Sequence, residues 1–177
     1  MSFPLARTGA EAHLFMDLRP CRCGETQFPR QSAVVMVGGE LVTRYAGCCA
    51  QCGLDREFVF RLPEDILPQQ AGADVVFGGP QPSELLDPGE WLQVADRQAS
   101  QVPMNDATRN DRAARLALAT ALAAVDEVLK FIPDRADAVP AESFRTYPGQ
   151  TLYGREPGRF RRARLLAVRE AYRDLLA

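Results

Sequence analysis

An α+β fold is expected from three features of the 177-residue chain. Two short β-patterned runs meet at Gly38-Gly39 with cysteines at their outer ends, apolar residues recur at helical spacing beyond residue 105, and a proline- and glycine-rich stretch lies between. The composition, 46% hydrophobic and 25% charged, is that of an ordinary globular chain and excludes collagen, coiled rods and wholesale disorder. These features divide the chain into a β module over 1–62, an acidic connector with one helix over 63–104, and a helical region over 105–177.

The elements follow in order. The apolar run 13–18, HLFMDL, reads as a strand leading into Pro20. Residues 32–45 form two β-rich runs around Gly38-Gly39, and paired glycines supply the positive φ of a tight hairpin turn. Residues 56–62, REFVFRL, alternate as a third strand that Pro63 closes. Prolines and glycines over 63–82 mark a connector, with one short apolar run at 75–77 able to form an edge strand. Asp87, Pro88 and Glu90 then give an N-cap, a first helical residue and a capping-box partner, predicting a helix over 88–100 that Pro103 stops. A longer helix is predicted over 106–131, where Leu118, Leu122, Val125 and Leu129 stack on one face and Arg112, Arg115, Asp126 and Glu127 stay wet. A loop over 134–156 leads to a last helix over 157–176 with Leu165, Val168, Tyr172 and Leu175 as its apolar line.

Charge is unevenly spread. The net charge is −2, which argues against a surface built throughout to bind nucleic acid or an anionic membrane. Residues 62–111 hold nine acids against two arginines, whereas residues 155–173 hold seven arginines against two glutamates. No apolar run approaches the roughly 20 residues of a bilayer crossing, and the first eleven residues lack the pattern of a secretory signal, so the expectation is a cytoplasmic protein that makes no membrane contact.

All five cysteines lie between Cys21 and Cys52, too clustered and too odd in number for a disulfide framework in a reducing compartment. Cys21-x-Cys23-Gly24 and Cys49-x-x-Cys52-Gly53 flank the hairpin segment, a pattern that brings two pairs of thiolates together around one tetrahedral metal ion. The glycine after each pair lets the backbone curl around the metal. This arrangement resembles a zinc ribbon over roughly residues 14–62. The resemblance implies a structural Zn2+ held by Cys21, Cys23, Cys49 and Cys52. The first turn has one intervening residue where the commoner ribbon turn has two, which leaves Cys48 and His13 open as substitutes for one ligand.

The rest of the chain offers little chemistry. No phosphate loop, dinucleotide fingerprint or nucleophile elbow occurs, and His13 is the only histidine. A filled metal site and an acidic middle segment point to a non-enzymatic protein-interaction module, an adaptor or an immunity (antitoxin) protein that blocks a partner, with Asp87, Glu90 and Asp96 facing a basic surface. The alternative is a nucleic-acid-binding regulator that uses the ribbon together with Arg159, Arg161, Arg162 and Arg164, interleaved with Phe160.

Overall fold

The computed structural model describes residues 3–63, 75–103 and 111–177, and its architecture is α+β. The chain divides into two compact units, one comprising Met1–Pro68 with Ser83–Leu85 and the other Gln69–Pro82 with Leu86–Ala177.

The first unit holds helix α1 (Gly9–Asp17) and the strands β1 (Gln31–Val37), β2 (Glu40–Cys48) and β3 (Asp55–Arg61), antiparallel in the order β1-β2-β3. The expected hairpin is present. Gly38 and Gly39 have φ of 60° and 89°, the consecutive positive angles of a type I′ turn, and Val37 pairs with Glu40 across it. Tyr45 lies opposite Phe58 and Thr43 opposite Phe60, so these rings share one sheet face. Helix α1 covers these rings. Phe15 meets Phe60 edge-on at 5.7 Å, and His13 meets Tyr45 edge-on at 5.4 Å. The far edge of β3 is locally paired by the N-terminal segment, where the Arg61 amide donates to the Pro4 carbonyl at 2.9 Å.

The run 13–18 is thus not a strand but the second half of α1. Six apolar residues satisfy a strand or a buried helical turn equally well, and a local cap decides between them. Thr8 accepts a hydrogen bond from the Glu11 amide at 3.1 Å, and Ala12 and Met16, one turn apart, are buried. Glu11 is itself fully buried. Its carboxylate accepts from the Arg7 guanidinium and from the Ser83 hydroxyl, both at 2.6 Å, so the charge is paired and bonded at once.

The second unit is helical: α2 (Pro88–Ala99), α3 (Arg112–Leu129), α4 (Tyr147–Arg155) and α5 (Arg162–Leu176), with 3-10 turns at Ala141–Ser143 and Pro157–Phe160. The capping box of α2 is present as expected. Helix α3 packs against both α2 and α5, and α2 also packs against α4. Being covered on two sides, α3 buries Ala114, Ala117, Ala121, Ala124 and Val128 as well as Leu118 and Val125. Glu127, expected to be wet, is buried and paired with Lys130 at 2.5 Å. The start of the expected helix, 106–110, lies outside the described residues, as does 64–74 of the connector. Residues 75–77 form no strand, and Phe77 packs on Trp91 at 4.9 Å.

The expected loop over 134–156 contains α4. Its start is set by Thr146, whose side chain accepts from the Gly149 amide, with Pro148 in the first turn. The last helix begins at Arg162 rather than at 157. Residues Pro157–Phe160 form a 3-10 turn that sets Phe160 against Phe144 at 4.7 Å, and Phe144 stacks on Tyr153 at 4.4 Å. Burying Phe144 and Phe160 against the half-buried Tyr153 outweighs continuing the helix.

Candidate metal centre

The hairpin carries the two cysteine groups to one place. Cys21 and Cys23 lie in the segment before β1, and Cys49 and Cys52 in the turn between β2 and β3. The two turns close alike. The Gly24 amide donates to the Cys21 carbonyl at 2.8 Å, and the Gly53 amide to the Cys49 carbonyl at 3.0 Å. The cysteine amides reach forward in parallel fashion, Cys21 to the Glu25 carbonyl and Cys49 to that of Leu54. The first turn is the second turn shortened by one residue, which accounts for its C-x-C spacing. Both rely on glycine in the left-handed region, with φ of 91° at Gly24 and 70° at Gly53, where an L side chain is strained.

The four sulfur atoms all lie within 4.8 Å of one another. Cys21 Sγ is 3.6 Å from Cys52 Sγ, and Cys23 Sγ is 3.6 Å from Cys49 Sγ. A tetrahedron with metal–sulfur distances of ~2.3 Å has edges of about 3.8 Å, so the cluster fits one ion with little contraction. Each turn contributes one buried and one exposed cysteine, which sets the site at the surface of the unit with its inner half dry.

Four thiols this close cannot all ionise without a cation between them. Their acidities separate accordingly. The Cys52 and Gln51 amides bond to Cys49 and bring its thiol down to about 6. At Cys23 the Glu25 amide pulls downward, but desolvation and the bonds to the other three cysteines outweigh it and push the thiol up to about 12. A divalent ion removes that conflict by binding the thiolates themselves. The backbone N–H groups of Glu25, Gln51 and Cys52 therefore support the site, and only the short length of the turns could have signalled them in the sequence.

Neither alternative ligand joins the cluster. Cys48 turns away, donating its thiol to Asp55 Oδ1 at 3.0 Å; that bond and the carboxylate's charge push its pKa up, so it is a poor thiolate. His13 is occupied against Tyr45.

The remaining residues singled out in the sequence disperse. Arg162 donates to the carbonyls of Ala136 and Pro133, at 3.1 and 2.8 Å, and so binds the chain just after α3. Arg159 forks onto Asp96, the closer contact at 2.5 Å. Arg161 and Arg164 are exposed. Of the acids expected to face a partner, Asp87 and Glu90 are buried and bound in the α2 capping box, and Asp96 alone has an exposed side chain. Among the described residues no helix is long and apolar enough to cross a membrane.

Comparisons with protein-family models, with curated proteins and with solved structures found no match.

Proposed function

We propose that the protein is a zinc-dependent, non-enzymatic protein-interaction module in which a structural Zn2+, bound by Cys21, Cys23, Cys49 and Cys52, holds a β-hairpin in shape for a partner. The observation that carries the reading is the mutual approach of four sulfurs within 4.8 Å. Zinc is the ion such a donor set selects, since soft thiolates in a tetrahedron suit it and four protein ligands leave no position for substrate. A reducing compartment such as the cytoplasm keeps the thiols free to bind it.

The interaction half of the reading is supported by what the metal centre stabilises. Val34, Met36 and Leu41 on the hairpin are exposed by 60%, 63% and 55%, and clustered apolar exposure of this kind marks a binding surface. An adaptor, or an immunity protein that blocks an enzyme, is the role this design suits.

Native mass spectrometry and elemental analysis of protein purified without added metal test the ion. The expected result is one zinc per chain, lost on replacement of Cys21 and Cys49 with serine. A folded, metal-free chain whose melting temperature does not respond to chelation would refute the metal site. Affinity capture from native cells, with and without nuclease, tests the partner class. A stoichiometric protein that survives nuclease is expected, and recovery of nucleic acid alone would overturn the interaction reading.

A further inference from the structure

The open edge of the sheet is β1. It pairs with β2 on one side, and among the described residues no strand pairs with its other side. Such an edge is normally blunted by charge, proline or a bulge, because a row of free backbone groups invites another strand. Here Gln31–Val37 reads QSAVVMV, with no charge and no proline, and every residue except Val35 is exposed.

We propose that two copies of this chain join along β1, antiparallel about a two-fold axis through Val35, so that one sheet runs through both. The proposal rests on the reading of the hairpin as an interaction surface, and it does not depend on which ion the thiols hold.

The register follows from the hairpin. In a two-residue turn the flanking residues Val37 and Glu40 exchange both backbone bonds, so Val35 and Ala33 also bond toward β2. Ser32, Val34 and Met36 then turn their N–H and C=O groups to the open edge. A two-fold through Val35 sets Val34 of one copy against Met36 of the other, and each finds the other's free groups. It also sets Ala33 against Val37 and Val35 against itself, so the pairing is apolar throughout Ala33 to Val37. A two-fold through Val34 would also match free groups, but it puts Ser32 opposite Met36 and Gln31 opposite Val37.

Side chains and charge agree with this register. Met36 lies opposite Leu41 within one copy, so pairing extends a strip of Leu41 and Met36 from one chain into Val34 of the other on the same face. With no charge between Gln31 and Val37, a strand facing its own copy brings no like charges together. This self-complementarity favours a second copy over a foreign strand.

Sedimentation of the full-length protein from low micromolar to several hundred micromolar tests the proposal. The mass is expected to rise from 19.5 kDa toward twice that value, and V34K/M36K, changed at exposed positions, is expected to remain at one chain's mass with an unchanged circular dichroism spectrum. Amide hydrogen exchange supplies a second readout that needs no variant: the Val34 and Met36 amides should gain protection with concentration while the Ala33 and Val35 amides, bonded within the chain, stay constant. A wild-type monomer at the highest concentration would overturn the proposal, as would a dimer that V34K/M36K leaves intact or one that does not protect Val34 and Met36. None of those results would touch the zinc content or the capture of a foreign partner, so failure here is separable from failure of the interaction reading.

Discussion

Asp87 shows how much structure one side chain can organise. Its carboxylate accepts from the Gly89 and Glu90 amides at the start of α2, both at 2.9 Å, and from the Arg145 amide, the Thr146 amide and the Thr146 hydroxyl at 3.0, 2.7 and 2.7 Å. One buried acid thus caps α2 and ties down the residues that begin α4. Removing it strands several buried donors at once. Asp87→Ala is expected to cost roughly 3–5 kcal/mol, well above an ordinary lost cap, and Asp87→Asn less, as read from urea midpoints. The space around the carboxylate is equally constrained. A Cβ on Gly149 would lie 2.4 Å from both Asp87 oxygens, so Gly149→Ala disturbs the same cluster by overpacking. His13 gives a residue-scale test in the first unit. Burial, and then the charge of Arg30, lower its pKa from the ordinary 6.5. The unfolded chain therefore takes up this proton first as pH falls, so the stability His13 contributes is present above pH 6.5 and is lost as pH falls through the folded value. A single histidine gives one resolvable imidazole titration by NMR, and a midpoint below 6.5 is expected.

The cysteine turns make their demand at the scale of the element. Gly53 holds φ of 70° while its amide closes the turn onto Cys49. A β-branched residue there opposes the left-handed conformation by about 1–2 kcal/mol, so Gly53→Val is expected to weaken metal binding roughly tenfold, while Gly53→Asn, which visits that region more readily, should lose less. Competition with a chromogenic chelator reads both. These turns were legible in the sequence because cysteine spacing and the following glycine are local signals, as were the hairpin at Gly38-Gly39 and the capping box at Asp87. What was not legible depended on competition between equally good local answers. The apolar run 13–18 is a helix because Thr8 caps it and the rings of Tyr45, Phe58 and Phe60 need a cover, and neither fact lies within the run. Thr146 and Pro148 signalled the start of α4, but so many glycines and prolines surround them that the segment reads as loop. The burial of Asp87 and Glu90 was hidden for a different reason: the capping box was readable, but a cap can lie in solvent, and what buries Asp87 while Asp96 stays exposed is the packing of the residues that begin α4, far along the chain.

At the scale of the molecule the two units stand on unequal supports. The second has its own apolar core, with Trp91, Leu118, Val125, Val128, Phe160 and Leu165 all buried around the central α3. The first has a three-stranded sheet whose β1 is largely exposed, with an aromatic cluster under a nine-residue helix on one face and Val42 buried on the other. A core of that kind leaves a small margin, which a metal staple commonly enlarges. Chelation should therefore act on one unit and spare the other. Hydrogen exchange followed by mass spectrometry, before and after metal removal, is expected to show loss of protection through β1, β2 and β3, with the amides of α2 and α3 unchanged. The same experiment on a chain with serine at Cys21 and Cys49 should reproduce the chelated pattern without a chelator. Equal loss in the sheet and in α3 would mean that the chain melts as one cooperative body, and an unchanged sheet would mean that its aromatic face suffices without the ion.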